Sequence, residues 1–325
     1  MEAHEPQLSI IIVNWNSATF LRNCLDSVYR VIQQVQFEVI VVDNGSYDGS
    51  AEMVRREFPK VIFIQSDSNL GFAGANNLAC SRATADVLLF LNPDTLILDS
   101  PVPSVMSLFK SIPIIGAVGC RVLNPDGTPQ RHYLQALPTL LNQLLDFDLL
   151  KRRFPRCRLW GCRAMYEDSD VPIDVEAISA SCLFVKRAAF LEVGCFSEIY
   201  FMYGEDLDLS FKLTKAGYRV TYLGIGVVIH YWGACSDKQA MSYFAAVLER
   251  QSVHKFFRER YGRVHALAFR AVTAIAALVR LVPAICLADL ENVGSRKERF
   301  SAVRGKWSLI LSWALGIKRS VGHDD

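Results

Sequence analysis

The stretch LFLNPD places a carboxylate, Asp94, shortly after a run of apolar residues that ends at Leu91. Such a run predicts a buried strand, and the polar residues after it predict its end. Pro93 restricts the backbone at this point and biases Asn92 toward an extended conformation. Asp94 therefore has two interpretations: it closes a turn, or it is the carboxylate that a buried strand brings to a reactive site.

A second group of acids, Glu205, Asp206 and Asp208, lies at the start of a predicted helix over residues 204–217. Acids in a first helical turn stabilise the helix dipole, which is one explanation for them. The other explanation is chemical, because a substrate hydroxyl that attacks an electrophile needs a base. The dipole would favour the ionised form of Asp206, whereas Glu205 beside it would raise its proton affinity. Asp208 points to another side of the helix and is given a supporting role.

Four short apolar runs without polar alternation predict strands that are buried on both faces of a parallel sheet. These runs are 8–13, 37–42, 61–64 and 86–91. The stretches with helical spacing between them are 19–34, 50–57 and 73–83. This alternation predicts an α/β fold with a doubly wound sheet and right-handed crossovers. Ligands of such sheets bind beyond the carboxyl ends of the strands, and each of these four ends is polar.

Amide and carboxylate side chains follow the first two predicted strands, with Asn14 and Asn16 in VNWN and Asp43 and Ser46 in VVDNGS. Asp43 could accept hydrogen bonds from a nucleobase or a ribose, or it could cap a strand-to-helix turn together with Ser46. The segment NLGFAGANN, residues 69–77, adds a loop that leads into a helix. The free N–H groups at the start of that helix could bind an anion.

Motifs and cysteine spacing argue against several classes of protein. No Gly-x-Gly-x-x-Gly follows the first strand and no Gly-x4-Gly-Lys-Ser/Thr occurs, which argues against a dinucleotide dehydrogenase and a P-loop NTPase. The nine cysteines include no Cys-x-x-Cys pair, which favours reduced thiols in a cytosolic setting. The N-terminal residues MEAHEPQ show no secretory signal.

Seven segments, in order along the chain, resemble the motifs of family 2 glycosyltransferases, which have the GT-A fold. They are SIIIVNWNS, VIVVDNGSYDGS, SNLGFAGANN, LFLNPD, ISASCLFVKRAAFLEVGCF, YGEDLDLSFKLTKAGYRV and VIHYWGA. The likeness is greatest to the rhamnosyltransferase-like branch that builds bacterial cell-wall linkers and O-antigens. It implies a Rossmann-like, mostly parallel central sheet flanked by helices. We expect this domain to span residues 1–238.

The resemblance also implies roles for individual residues. A divalent metal, Mg²⁺ or Mn²⁺, would be held by Asp94, which matches the last carboxylate of the family's DXD element, and by His230, which could instead be a core histidine. Asp206 matches the catalytic base, with Glu205 beside it. The nucleotide-binding positions are Asn14, Asn16, Asp43, Ser46, Asn69, Gly71, Asn76 and Asn92.

The function that the resemblance implies is inverting transfer of a sugar from a nucleotide-sugar donor to a lipid-linked saccharide acceptor in polysaccharide biosynthesis. The expected donor is dTDP-rhamnose, the expected place is the cytoplasmic face of the cell membrane, and no nucleic acid takes part. The alternative is a degenerate GT-A domain that only binds a nucleotide sugar or scaffolds other proteins. It is motivated by Asn92, which replaces the first acid of the DXD element. A homo-oligomer is left open.

Residues 239–325 differ in character from the rest of the chain. Residues 250–325 hold 14 Lys and Arg against 6 Asp and Glu, whereas residues 1–249 hold 21 against 27. Within the predicted helix over 264–290, Arg270, Thr273 and Arg280 share one arc with the preceding Arg263. This pattern predicts a helical extension that lies on a membrane with its arginines toward the headgroups. The alternative is ordinary packing of amphipathic helices.

Overall fold

The computed structural model of the chain describes residues 5–166, 171–231, 240–288 and 294–317. The described residues form two compact units. The first unit comprises Met1–Leu137, Pro155–Phe201 and Glu205–Cys235, and the second comprises Pro138–Phe154, Met202–Gly204 and Ser236–Asp325, each counted over its described residues. The predicted boundary after residue 238 lies outside the described residues and stays a prediction.

Strands and helices are numbered along the chain. The strands are β1 (Leu8–Asn14), β2 (Phe37–Asp43), β3 (Ile62–Gln65), β4 (Val87–Leu91), β5 (Thr95–Asp99), β6 (Ile115–Gly119), β7 (Val122–Leu123), β8 (Leu134–Gln135), β9 (Ile173–Asp174), β10 (Ala177–Ile178), β11 (Cys182–Lys186), β12 (Arg219–Tyr222) and β13 (Val227–His230). The helices are α1 (Ala18–Val31), α2 (Ser50–Glu57), α3 (Gly71–Cys80), α4 (Val102–Ser111), α5 (Leu140–Leu144), α6 (Asp148–Arg153), α7 (Arg187–Glu192), α8 (Glu205–Lys215), α9 (Ala240–Tyr261), α10 (Arg263–Ala288) and α11 (Gly294–Ala314).

The core of the first unit is an eight-stranded sheet in the order β3-β2-β1-β4-β11-β6-β12-β9. Six of its strands run parallel, and β11 and β9 run antiparallel to their neighbours. Every residue of β4 is buried, as is nearly every residue of β1, because helices and loops cover both faces. The predicted α/β fold with a mostly parallel sheet is confirmed. In β1 and β2, Asn14 lies directly opposite Asp43 at the carboxyl ends of both strands.

A smaller sheet, in the order β5-β13-β7, lies beside the large one within the first unit. The segment IIGAVGCRV, residues 114–122, reads as one strand in the sequence, but the structure divides it between β6 and β7. The backbone N–H of Cys120 donates to the Tyr133 hydroxyl (3.0 Å), so it leaves the ladder and the chain passes from β6 into β7 of the smaller sheet. Strand β13 pairs with β5 in a register that sets His230 opposite Thr95. The smaller sheet therefore pairs β5, which follows LFLN in the sequence, with β13, which contains VVIH.

The second unit is helical, as predicted, but Arg270 and Arg280 of α10 are bound inside the unit. Arg270 donates to the carbonyl oxygens of Trp313 (2.7 Å) and Ala314 (3.0 Å) at the end of α11, and Thr273 is buried. The Arg280 guanidinium lies 3.8 Å from the ring centroid of Phe147. The prediction that these arginines face headgroups is therefore wrong, because carbonyl groups and aromatic faces inside the unit bind them.

The outward face of α10 is apolar instead. Its exposed large side chains are Val264, Leu267, Ile275, Leu278, Val279 and Val282. By length and composition, the part of α10 over Arg263–Val282 could span a membrane, and it is the one such helix among the described residues.

Candidate active site

Asp43, at the end of β2, is fully buried and accepts four hydrogen bonds. Its Oδ1 accepts from Asn14 Nδ2 (2.8 Å) and Ser50 Oγ (3.2 Å), and its Oδ2 accepts from Gln65 Nε2 (2.6 Å) and the Ser46 N–H (3.1 Å). Burial by itself would raise the pKa of Asp43, but these hydrogen bonds outweigh it and lower the pKa. Asp43 is thus an ionised group that organises the ends of three parallel strands.

The loops after β1 and β2 are tied to each other by Asn16 and Ser46. The Asn16 N–H donates to Ser46 Oγ (2.8 Å), and Asn16 Oδ1 accepts from the Tyr47 N–H (3.0 Å). Asn16 has a φ of 49°, a conformation that asparagine adopts more readily than most residues. The structure therefore brings together four of the predicted nucleotide-binding residues: Asn14, Asn16, Asp43 and Ser46.

The predicted residues around α3 have partners within the protein. Asn69 Oδ1 accepts from Asn44 Nδ2 (2.8 Å) and from the Gly71 N–H (2.9 Å), and it fixes the start of the helix. Gly71 has a φ of +72°, and a Cβ there would lie 2.5 Å from the Phe201 carbonyl oxygen. Asn76 is buried and donates to the carbonyl four residues earlier in α3 (2.8 Å). Close packing explains Gly71, and a hydrogen bond within α3 explains Asn76.

Asp94 and His230 form a buried pair at the edge of the smaller sheet. Asp94 Oδ1 lies 3.1 Å from His230 Nε2, and their side chains are 10% and 4% exposed. The Tyr231 N–H donates to the Asp94 carbonyl oxygen (2.9 Å), which locks the two strands together at this level. Asn92 Nδ2 lies 3.3 Å from the same imidazole nitrogen. The three predicted residues are therefore neighbours.

This pair has the chemistry of a divalent-cation site. One carboxylate oxygen and one imidazole nitrogen suit Mn²⁺, and Mg²⁺ also accepts a single carboxylate when substrate phosphates complete its ligands. Among the residues that the structure describes, no group of three or more His, Cys, Asp or Glu side chains could hold a metal by itself. A cation here would depend on the oxygens of a bound phosphate group.

Asp206 lies in the first turn of α8 with part of its side chain exposed. Its carboxylate accepts from the Leu207 N–H (2.8 Å), and the Ala180 N–H and the Ser179 hydroxyl interact favourably with its ionised form. Burial is the largest influence and raises the pKa of Asp206, while these hydrogen bonds oppose it. Asp206 is therefore a stronger base than an exposed aspartate.

The other two acids of α8 are buried. Burial, followed by the neighbouring Asp206, raises the pKa of Glu205 well above its ordinary value, which favours its protonated form. Asp208 accepts a hydrogen bond from Ser197 Oγ (2.5 Å) and lies 3.8 Å from the Lys212 ammonium. Asp208 thus holds α8 in place, in keeping with a supporting role.

The pairing of β4 with β11 connects the buried pair to the acids. The Asn92 N–H donates to the Ser181 carbonyl oxygen (3.0 Å), next to the Ser179 and Ala180 groups that bind Asp206. Four buried side-chain polar atoms have no hydrogen-bond partner among the described residues. Ser181 Oγ and Glu205 Oε2 are two of them and lie in this region, and a third, Asn14 Oδ1, lies at the end of β1. Such atoms are rare in proteins, so these are candidates for contacts with a ligand.

Sequence comparisons show which proteins the chain resembles. Residues 9–169 match the family described as glycosyl transferase family 2. The chain is 27% identical over 269 residues to N-acetylglucosaminyl-diphospho-decaprenol L-rhamnosyltransferase of Mycobacterium tuberculosis, covering 78% of this chain and 85% of the relative. It is 25% identical over 246 residues to an O-antigen chain rhamnosyltransferase of Salmonella typhimurium, covering 73% and 70%.

Solved structures show the same fold. A mannosyltransferase from Pyrobaculum calidifontis in complex with GDP-Man and Mn²⁺ matches with a TM-score of 0.57 at 17% identity, covering 96% of this chain and 87% of that one. The structure of GalNAc-T7 with UDP, GalNAc and Mn²⁺ matches with a TM-score of 0.54 at 14% identity, covering 78% and 48%. Residues 9–169 thus belong to glycosyl transferase family 2, in a chain with the GT-A fold.

Proposed function

We propose that this glycosyltransferase moves rhamnose from dTDP-rhamnose to a lipid-linked saccharide in bacterial cell-wall, O-antigen or polysaccharide synthesis, with inversion at the transferred carbon. Two relatives that cover most of the chain support rhamnose by their names. The name of the mycobacterial relative, N-acetylglucosaminyl-diphospho-decaprenol L-rhamnosyltransferase, supports a lipid diphosphate acceptor. The observation that carries the proposal is the β4–β11 pairing, which joins the Asp94–His230 pair to the backbone that binds Asp206.

Asp94 and His230 would hold a divalent cation, Mg²⁺ or Mn²⁺, together with the donor diphosphate. When bound, the cation neutralises the negative charge that develops on the diphosphate as the sugar–oxygen bond breaks. The amide of Asn92 lies beside His230 Nε2 and would face the same phosphates. The strand-end residues Asn14 and Asp43 would contact the base and ribose, where Asn14 Oδ1 is an acceptor without a protein donor.

Asp206 would act as the general base. It takes the proton of the acceptor hydroxyl while the hydroxyl oxygen bonds to the anomeric carbon, and the nucleoside diphosphate leaves with the electrons of the broken bond. The Ser179 hydroxyl and the Ala180 N–H would stabilise the ionised carboxylate, and the raised pKa of Glu205 disfavours a second negative charge beside it. A base held in this way supports catalysis over the alternative of a domain that only binds nucleotide sugars.

Thermal unfolding of the full-length protein with a panel of nucleotide sugars tests the donor. We expect dTDP-rhamnose with Mn²⁺ or Mg²⁺ to raise the midpoint most, and a chelator to abolish the shift. Transfer to a polyprenyl diphosphate saccharide is then measured with the same metal. Stabilisation by a different nucleotide sugar would reject rhamnose, and binding without hydrolysis or transfer would favour the non-catalytic alternative.

The second unit would attach the enzyme to the inner face of the cell membrane. The outward face of α10 carries six large apolar side chains, and the C-terminal region has an excess of basic residues that anionic lipids attract. Apolar side chains, and not the arginines that the sequence pointed to, would enter the bilayer. The same face could instead join two copies of the chain, which makes the oligomeric state part of the test.

We expect the double variant Leu267→Asp/Leu278→Asp to lose flotation with anionic liposomes. Burial of each leucine is worth about 1.5–3 kcal/mol, so the pair lowers partitioning by at least about 100-fold. Leu191→Asp, at an exposed leucine of α7 in the first unit, is the matched control and should float like the wild type. Unchanged flotation of the double variant, or a wild-type protein that is dimeric and does not float, would contradict membrane attachment.

A further inference from the structure

Gln130 is a buried side chain that packs against the imidazole of His230 on the side away from Asp94. Its Oε1 lies 2.7 Å from His230 Nδ1, and the side chain is 5% exposed. Its Nε2 donates to the His230 carbonyl oxygen (3.3 Å) and to Asn124 Oδ1 (3.4 Å). One glutamine therefore contacts both the ring and the backbone of the same histidine.

These contacts determine which way the Gln130 amide faces. The His230 carbonyl can only accept, and a neighbouring acceptor, Asn124 Oδ1, lies on the same side, so the NH₂ of Gln130 must point toward them. The oxygen of the amide is then the atom that faces Nδ1. Because Oε1 can only accept a hydrogen bond, Nδ1 must carry the proton. In the neutral imidazole this leaves the lone pair on Nε2, which faces the Asp94 carboxylate.

We propose that Gln130 is a positioning residue that fixes His230 in the Nδ1–H tautomer, so that Nε2 is available to bind a divalent cation together with Asp94. This role rests on the proposed metal site. In that tautomer Nε2 and the Asp94 oxygen, 3.1 Å apart, are both acceptors, and a cation bound between them would satisfy both. Gln130 acts through His230 and touches neither the cation nor the substrate.

The fold holds Gln130 at this point through the turn NPDGT. The Asn124 N–H donates to the Thr128 carbonyl oxygen (2.8 Å), and the Gln130 N–H donates to the Val122 carbonyl oxygen (3.2 Å), so the chain folds back along β7. Strand β7 in turn pairs with β13, which ends at His230. The histidine and the residue that orients it are thus fixed by the same small sheet.

The affinity of the full-length protein for Mn²⁺ tests the proposal. It is measured from the electron paramagnetic resonance signal of free Mn²⁺ with dTDP present. We expect Gln130→Leu to weaken Mn²⁺ binding by about 10–100-fold, the range for loss of a partner that orients a metal-binding histidine. Gln130→Glu keeps an acceptor for Nδ1–H but loses the donor to the His230 carbonyl oxygen, so it should retain more Mn²⁺ affinity than Gln130→Leu. Gln33→Leu, at an exposed glutamine after α1, is the matched control and should bind normally.

The tautomer itself gives a second measurement that packing alone would not change. Nitrogen NMR of ¹⁵N-histidine-labelled protein without metal, at about pH 8 where an ordinary histidine is neutral, should show the His230 proton on Nδ1. His230→Gln identifies the signal. In Gln130→Leu the proton should redistribute toward Nε2. A wild-type proton on Nε2, or equal Mn²⁺ affinity in Gln130→Leu and the wild type, would overturn the role of Gln130. A wild-type protein that carries Nδ1–H but does not bind Mn²⁺ would overturn the metal site on which the role of Gln130 rests.

Discussion

Asp206→Asn should lower the rate of sugar transfer by about 10²–10⁴-fold, the usual contribution of a general base. An amide of the same shape keeps a carbonyl oxygen that can accept from the Leu207 N–H (2.8 Å in the native protein), so α8 should stay folded. The amide cannot take the proton of the acceptor hydroxyl. Donor affinity should change little, because the donor is bound at the strand ends and at the Asp94–His230 pair. Initial rates and donor titrations of the purified variant measure the two quantities separately.

The pH dependence of the wild-type enzyme supplies a check on the same residue. The base must be deprotonated, and burial raises the pKa of Asp206. As the pH falls, activity should therefore be lost at a higher pH than the ordinary aspartate pKa of about 3.9 would give. Asp174→Asn, in a surface ion pair with Arg219, is a matched control that should leave the rate unchanged. Full activity of Asp206→Asn would remove Asp206 from the role of base.

Asp94→Asn should abolish the metal dependence of donor binding. It removes the one carboxylate beside His230 Nε2, and we expect at least about a 100-fold loss of Mn²⁺ affinity, more than for an outer partner of a metal ligand. In the presence of a chelator the variant and the wild type should bind the donor equally weakly. Calorimetric titration of the nucleotide sugar with and without Mn²⁺ measures this difference.

Asn92→Asp is the converse of Asp94→Asn, because it adds a carboxylate at the same site. It restores the acid that the DXD element has in other family members, next to the same imidazole nitrogen (3.3 Å). Two carboxylates attract a divalent cation more strongly than one, so this variant should bind Mn²⁺ more tightly than the wild type. If a chelator leaves donor binding unchanged in the wild type, in Asp94→Asn and in Asn92→Asp, Asp94 is excluded from the metal site.

The large sheet and its polar edge could be predicted from the sequence because both follow local patterns. Apolar runs without polar alternation predicted β1 to β4, and the polar residue after each run predicted the polar edge of the sheet. Asn76 is a nucleotide-binding position only by the family resemblance, and in the structure its amide donates within α3. Spacing along a helix tells which residues share a face, but not whether that face meets a ligand or its own backbone.

Non-local contacts explain what the sequence did not show. Arg270 and Arg280 lie in one arc of α10, and periodicity could not reveal that carbonyls at the end of α11 and the Phe147 ring would bind them. Gln130 was missed because a glutamine after a turn carries no signal of its own. Its role exists only because the smaller sheet pairs segments about a hundred residues apart.

The link between Asn92 and His230 joins positions 138 residues apart in the chain. A cation and a diphosphate held between β5 and β13 would act as a reversible cross-link across most of the first unit. A ligand that binds only the folded protein at 100 times its dissociation constant stabilises it by about 2.7 kcal/mol. The nucleotide sugar would then protect the enzyme from unfolding and proteolysis, so a cell short of donor would also lose the protein that consumes it.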